Sequence, residues 1–147
     1  MKLRAYNSFI LIELMVNPEK KFGTIVYKAK DDGDGLFMDA GRIVSVGPTA
    51  FGAYEYLHKL NKPTESELIG KHVFFNCKRW DTAFFGQHNA WLDEEEKHKR
   101  FKLIDAGDVM AFINIKDEDL ENYYPSKARM EELLKLERQE AEILGSY

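Results

Sequence analysis

Apolar residues in this chain are grouped into short runs separated by polar turns. The first run, residues 8–16, is rich in β-branched and large apolar side chains and lies between Asn7 and Asn17. This composition predicts a strand buried on much of both faces. Similar runs, bounded by glycine, proline or aspartate, predict further strands at residues 42–48, 69–77, 100–104 and 109–115. The run at 100–104 alternates enough to predict a half-exposed strand, whereas the polar residues 64–68 predict a turn.

The connections between these strands contain no long helical pattern. The sequence therefore predicts a mainly β fold, a small and partly open β-barrel, rather than a parallel α/β sheet. We expect this barrel to occupy residues 1–115, with a variable connection over 48–68 and an irregular aromatic segment over 80–91. The aromatic side chains of that segment are typical of core or interface packing. They are Trp80, Phe84, Phe85 and Trp91.

The chain changes character after residue 115. Residues 116–122 are dominated by charge, and residues 126–144 lack glycine and proline and are rich in good helix formers. A patchy apolar stripe runs along this predicted helix. It consists of Met130, Leu133, Leu134, Ala141 and Leu144. The sequence therefore predicts a charged, helical C-terminal tail over 116–147, either a surface helix or a segment that docks on a partner.

A second short apolar group stands apart from the predicted strands. Ile25, Val26 and Tyr27 are flanked on both sides by charged, glycine- or proline-containing segments. That composition predicts a mobile loop over residues 17–36. The triplet either folds back into the core as a short strand or is held out for another protein to bind, and composition alone leaves both readings open.

Length and charge restrict the class of protein. The chain has 147 residues, a formal net charge of -4 and a pI near 5.6. One domain with an ordinary core is expected, and the acidic balance argues against a nucleic-acid-binding protein. The single cysteine, Cys77, fits a reducing compartment. Glu13 interrupts an N-terminal apolar run that is too short for a signal peptide or membrane span, so we expect a cytoplasmic protein without membrane contact.

Side-chain patterns that would indicate catalysis are missing from the sequence. His58, His72, His88 and His98 have no ligand-like spacing with one another or with Cys77. The acidic run that begins at Asp31 lacks the terminal glutamate of a calcium loop. Phosphate-cradling, dinucleotide-binding and nucleophile-elbow motifs are also missing. The sequence therefore predicts no catalytic residue, no metal and no cofactor, and hence a non-enzymatic protein.

Taken in order, the motifs from residue 4 to residue 115 resemble the GroES-type co-chaperonin family. The match begins with the first strand and continues with a loop carrying a glycine and an apolar triplet, residues 23–27. The strand at 40–48, Ala-Gly-Arg-Ile-Val-Ser-Val-Gly-Pro, is the most specific part. The segment at 69–75, the turn at 105–108 and the strand at 109–113 complete the series.

The resemblance implies a fold, a partner and two sets of contact residues. The fold would be a GroES-like barrel in a homo-oligomeric ring of seven subunits, which caps the large GroEL-type chaperonin while that partner hydrolyses ATP. The chaperonin-docking residues would be Gly23, Thr24, Ile25, Val26 and Tyr27. The subunit interface would involve Leu3, Tyr6, Val109, Ala111, Phe112 and Ile113.

Four features of the chain differ from the usual pattern of the family. Tyr27 stands where an aliphatic residue is usual, the 48–68 connection is long and aromatic, and the 116–147 tail is additional. A fourth difference is the extra bulk of residues 76–96. Such divergence resembles bacteriophage-encoded co-chaperonins, which would act in the host cytoplasm. The alternative is a virion structural, decoration or assembly protein that uses the same barrel. A packed 17–36 loop would favour that alternative.

Overall fold

A computed structural model describes residues 1–16, 21–22, 25–26, 37–52, 62–76, 83–86 and 89–145. The strands in these segments are β1 (Phe9–Val16), β2 (Lys21–Phe22), β3 (Ile25–Val26), β4 (Phe37–Val46), β5 (His72–Phe75), β6 (Ala83–Phe85), β7 (Phe101–Asp105) and β8 (Val109–Ile113). The α-helices are α1 (Glu65–Leu68), α2 (Leu120–Tyr123) and α3 (Lys127–Gly145). Short 3-10 turns occur at Glu94–Glu96, Ala106–Asp108 and Asp117–Asp119.

Six of the strands form one antiparallel sheet in the order β6-β7-β1-β4-β5-β8. Strand β1 is central, because it pairs with β4 on one side and with β7 on the other. Within the described segments the sheet is open, with β6 and β8 at its two edges. The prediction of a small, mainly β fold is therefore confirmed.

Alternation along β1 divides the core into two clusters. Ile10, Ile12 and Leu14 belong to the first cluster, and Leu11, which points to the opposite face, belongs to the second. The buried members of the first cluster from other elements are Ile43, Ala50, Val73, Phe75, Ile104, Ala106 and Met130. The second cluster is completed by Ala5, Leu92 and Phe101. Both faces of β1 are covered, as its continuous apolar run predicts.

Two predictions about local structure are wrong. Residues 64–68 do not form a simple turn, because Glu65–Leu68 is a helical turn. The Thr64 hydroxyl accepts a hydrogen bond from the Glu67 amide, and the Glu67 carboxylate accepts one from the Thr64 amide. This reciprocal cap satisfies two amides that a short helix leaves without internal partners.

The second wrong prediction concerns the exposure of the strand at 100–104. It is present as β7, but Phe101 and Ile104 are almost completely buried and Lys102 is only 7% exposed. Strand β7 is paired along both edges, with β1 and with β6. Ile104 belongs to the first core cluster and Phe101 to the second, so both faces of β7 are covered, as they are for β1. The alternation along the sequence does not reveal this second covered face.

The C-terminal helix packs on the sheet through its beginning. Met130 is 4% exposed and lies in the first core cluster, with Leu133 and Leu134 packed against that cluster. The described side chains after Leu134 are exposed; they are Lys135, Leu136, Arg138, Gln139, Glu142 and Ile143. The first two turns of α3 therefore form part of the core, and the described side chains of its second half face solvent.

Candidate functional site

The loop with the predicted docking triplet leaves and re-enters the sheet at neighbouring points. Val16 at the end of β1 pairs with Phe37 at the start of β4, so residues 17–36 connect two adjacent antiparallel strands. Hairpin connections usually have about two to five residues, and much longer ones are usually functional or linker segments. The length of this connection therefore makes it a candidate interaction segment.

A small sheet lies within that connection. Lys21 pairs with Val26 and Phe22 pairs with Ile25, so β2 and β3 form a two-stranded antiparallel sheet of their own. The described backbone pairing of Ile25 and Val26 is thus with β2 rather than with the six-stranded sheet. The other predicted docking residues, Gly23, Thr24 and Tyr27, lie outside the described residues.

The second candidate surface is the edge strand β8. In the described segments β8 pairs with β5 alone. The exposed fractions of Met110 and Phe112 are 58% and 47%, and Ala111 between them is also exposed. An edge strand with exposed apolar side chains is a template for pairing with another chain.

A groove of 620 Å³ runs beside this edge strand. Its lining includes Phe51, Met110 and Phe112, together with Ser8 and Asp105. The Ser8 hydroxyl donates a hydrogen bond of 2.7 Å to Asp105, which fixes the polar end of the groove. The groove provides an apolar surface next to backbone groups that a further strand could pair with.

Four of the six predicted interface residues line one of two separate grooves. Val109, Ala111 and Phe112 line the groove beside β8, whereas Leu3 lines a separate groove next to Glu13. The exposed members of the set are Tyr6, at 71%, Ala111 and Phe112. The half-buried members are Leu3, Val109 and Ile113.

A buried polar cluster, which sequence reasoning did not identify, joins the sheet to the C-terminal extension. Its centre is Glu13, whose side chain is 5% exposed. Arg42, directly opposite on β4, donates hydrogen bonds of 3.0 to 3.1 Å to both carboxylate oxygens of Glu13. Lys99 lies 3.5 Å from the same carboxylate. A buried carboxylate requires such compensation, because desolvation disfavours its charge.

Tyr124, which directly follows α2, closes this cluster. Its ring stacks on His72, with the ring centroids 5.3 Å apart, and the Arg42 guanidinium lies 4.4 Å from its centre. The Tyr124 hydroxyl and Nδ1 of His72 are hydrogen-bonded at 2.9 Å. Burial raises the pKa of Tyr124, so its hydroxyl stays protonated. Burial and the neighbouring Arg42 charge lower the pKa of His72, so the docked imidazole is neutral near pH 7.

One sequence signal pointed to this cluster. Glu13 is the only charged residue within the apolar run at 8–16, and a buried carboxylate in a central strand requires a cation from a neighbouring strand. The sequence alone does not show which cation. The cluster links three strands and the C-terminal extension, so its geometry is that of a structural junction rather than a reaction centre.

Other kinds of site find no support in the described segments. These segments contain no group of three or more histidine, cysteine, aspartate or glutamate residues placed to hold a metal ion. None of the helices within them has the length and apolar character needed to cross a membrane. No family model matches the sequence, and no curated protein is significantly similar to it.

Proposed function

We propose that this protein is a co-chaperonin that caps the ring of a large GroEL-type chaperonin and assists ATP-dependent protein folding. The observation that carries the proposal is the connection between β1 and β4. Val16 and Phe37 pair at its base, and Ile25 and Val26 are paired with Lys21–Phe22 instead of with a strand of the large sheet. Two apolar residues in a long connection that leaves the large sheet are suited to docking on another protein.

The fold we propose is a GroES-like barrel. It is supported by the antiparallel sheet, in which β4 carries the Arg-Ile-Val-Ser-Val stretch of the resemblance and β8 carries its last strand. The β1–β4 pairing has register shifts between Leu11 and Ile12 and between Leu14 and Val16, and β-bulges of this kind bend a sheet.

The assembly we propose is a homo-oligomeric ring, with seven subunits as in the family. Strand β8 supports it, because its apolar side chains are exposed and, among the described residues, no strand pairs with its outer edge, so that a neighbouring subunit could pair there. A ring also presents several copies of the docking triplet at once. Weak individual contacts then combine through their effective concentration. The nucleotide is hydrolysed by the chaperonin, and the complex works in the cytoplasm.

The test is complex formation with a chaperonin. The mass of the protein is measured in solution alone, and then with a GroEL-type chaperonin and ATP. We expect a stoichiometric complex for the wild type, and loss of that complex for Ile25→Asp and for Val26→Asp with the ring mass unchanged. Ile69→Asp is the matched control, because Ile69 is 40% exposed and lies outside the loop. Its complex should be retained.

Two results would overturn the proposal. One is a wild-type protein that shows no binding to the chaperonin in the presence of nucleotide. The other is undiminished binding and client refolding by the Ile25→Asp and Val26→Asp variants. A wild-type protein that forms a homo-oligomer but does not bind chaperonin would favour the alternative. That alternative is a virion structural or decoration protein that uses the same edge strand.

A further inference from the structure

The C-terminal extension leaves the sheet and returns to it within a short length of chain. Ile113, the last residue of β8, pairs with His72 of β5. The chain then forms α2 and returns to place Tyr124 on that same His72. The buried Pro125 follows, and Met130 of α3 enters the core cluster. Residues 124–127 are therefore the point at which the extension is attached to the sheet.

Two histidines flank this attachment point. His72 is hydrogen-bonded to the Tyr124 hydroxyl, as described above. His98 faces the backbone carbonyl of Pro125. Burial lowers the pKa of His98, and the Pro125 carbonyl opposes this effect only in part. Both ring nitrogens of His98 are buried, and neither has a hydrogen-bond partner of normal geometry among the described residues. Each imidazole thus touches the extension in its neutral form.

The cations near the two rings oppose protonation, and Glu13 favours it only in part. His72 faces Arg42 of β4 and Glu13 of β1, and His98 faces Lys99, Lys127 of α3 and the same Glu13. Glu13 is already shared between Arg42 and Lys99. Protonation of both imidazoles would add two cations beside a single carboxylate whose charge is already compensated. Burial first, and then the cations, lower the pKa of both histidines below the ordinary value of 6.5.

We propose that residues 124–127 form an acid-released latch: protonation of His72 and His98 detaches the C-terminal extension from the sheet. When the extension is released, both imidazoles regain their ordinary pKa. They then bind protons at a pH at which the docked imidazoles are still neutral. Docking is therefore at full strength above the ordinary histidine pKa, and weakens as the pH falls below it toward the lowered values of the docked state. This latch is independent of the proposed function, because it involves neither the 17–36 loop nor a chaperonin.

Hydrogen–deuterium exchange of the full-length protein tests the latch. Protection of α3 amides is compared with that of β1 amides at pH 7.5, 6.5 and 5.5, after correction for intrinsic exchange. We expect α3 to lose protection on acidification while β1 keeps it. For each proton taken up on release, the protection of α3 falls by at most about tenfold per pH unit. Proton uptake by both histidines therefore allows a loss of protection of about a hundredfold per pH unit. Loss from α3 and β1 in parallel would mean global unfolding and would overturn the latch.

Substitutions assign the effect to the two rings. The double variant His72→Gln/His98→Gln keeps neutral side chains at both positions, so its α3 protection should no longer depend on pH. Tyr124→Phe keeps the ring but removes the hydroxyl, and should lower α3 protection already at pH 7.5. Tyr6→Phe is its matched control, because the Tyr6 side chain is 71% exposed, and it should behave as the wild type. An unchanged pH dependence in the double variant would exclude these histidines as the sensor.

Discussion

The Arg42 guanidinium lies 4.4 Å from the centre of the Tyr124 ring while it also binds the Glu13 carboxylate. A single cation thus neutralises a buried charge of the sheet and provides the surface on which the C-terminal extension rests. A guanidinium suits both roles, because it binds a carboxylate with two parallel hydrogen bonds and stacks on an aromatic face. The stability of the sheet and the docking of the extension are therefore coupled at this residue.

The ion pair leads to the first prediction. Arg42→Met should lower the free energy of unfolding by about 3 kcal/mol, because among the described residues Glu13 is left buried with only the longer contact to Lys99. Urea denaturation at pH 7.5 measures the change. Replacing both partners, Glu13→Leu with Arg42→Met, should recover most of the loss because no buried charge remains. A double variant no more stable than Arg42→Met would show that the Arg42–Tyr124 contact, and not the orphaned carboxylate, dominates.

The position of Met130 in the core leads to the second prediction. Met130→Ala should cost about 2–4 kcal/mol, since it removes a buried side chain from the first cluster. Leu136→Ala, on the same helix but 47% exposed, should change the free energy of unfolding by less than about 0.5 kcal/mol. Equal effects of the two substitutions in urea denaturation would contradict the packing of α3 on the sheet.

Strong apolar runs made the strands predictable. Strands β1, β5, β7 and β8 lie at or close to their predicted runs, because each run is bounded by turn residues. Strand β4 overlaps the predicted run at 42–48 but begins earlier, at Phe37. The helix over 126–144 was equally clear from its composition, and α3 spans Lys127–Gly145. The helical turn α1 was missed although Thr64 and Glu67 have the spacing of a capping box, because the polar composition of 64–68 favoured a turn.

In the polar cluster, Glu13 carries a sequence signal, but the sequence does not identify the partners of Glu13. Glu13, Arg42 and Tyr124 are far apart in the chain, and only the strand register brings the first two together. A shift of the β1–β4 register by one residue would turn Arg42 to the opposite face and leave Glu13 without its partner. Tyr123 and Tyr124 are adjacent, and the local sequence does not show which of the two rings docks on the sheet. That choice depends on tertiary packing.

The third prediction concerns the close approach of β1 and β4. A β-carbon added at Gly41 would overlap the backbone oxygen of Glu13 and the side chain of Ile12. Because the backbone of a central strand cannot move aside, Gly41→Ala should prevent folding or reduce the melting temperature by more than about 10 °C. In Gly52→Ala, the nearest described atom to the new carbon is the Thr49 oxygen at 3.2 Å, so a much smaller change is expected. Equal melting temperatures in differential scanning calorimetry would contradict the β1–β4 contact.

The last prediction concerns self-association through β8. Phe112→Lys places a charge on the edge strand, where charged side chains are known to oppose strand pairing between chains. The subunit should stay folded, because the Phe112 side chain is 47% exposed, but the proposed oligomer should dissociate. Leu136→Lys is the matched control, since Leu136 has the same exposed fraction on a different surface, and it should keep the wild-type mass. Sedimentation velocity measures both masses. An intact Phe112→Lys oligomer, or dissociation by both substitutions, would exclude β8 as the specific interface.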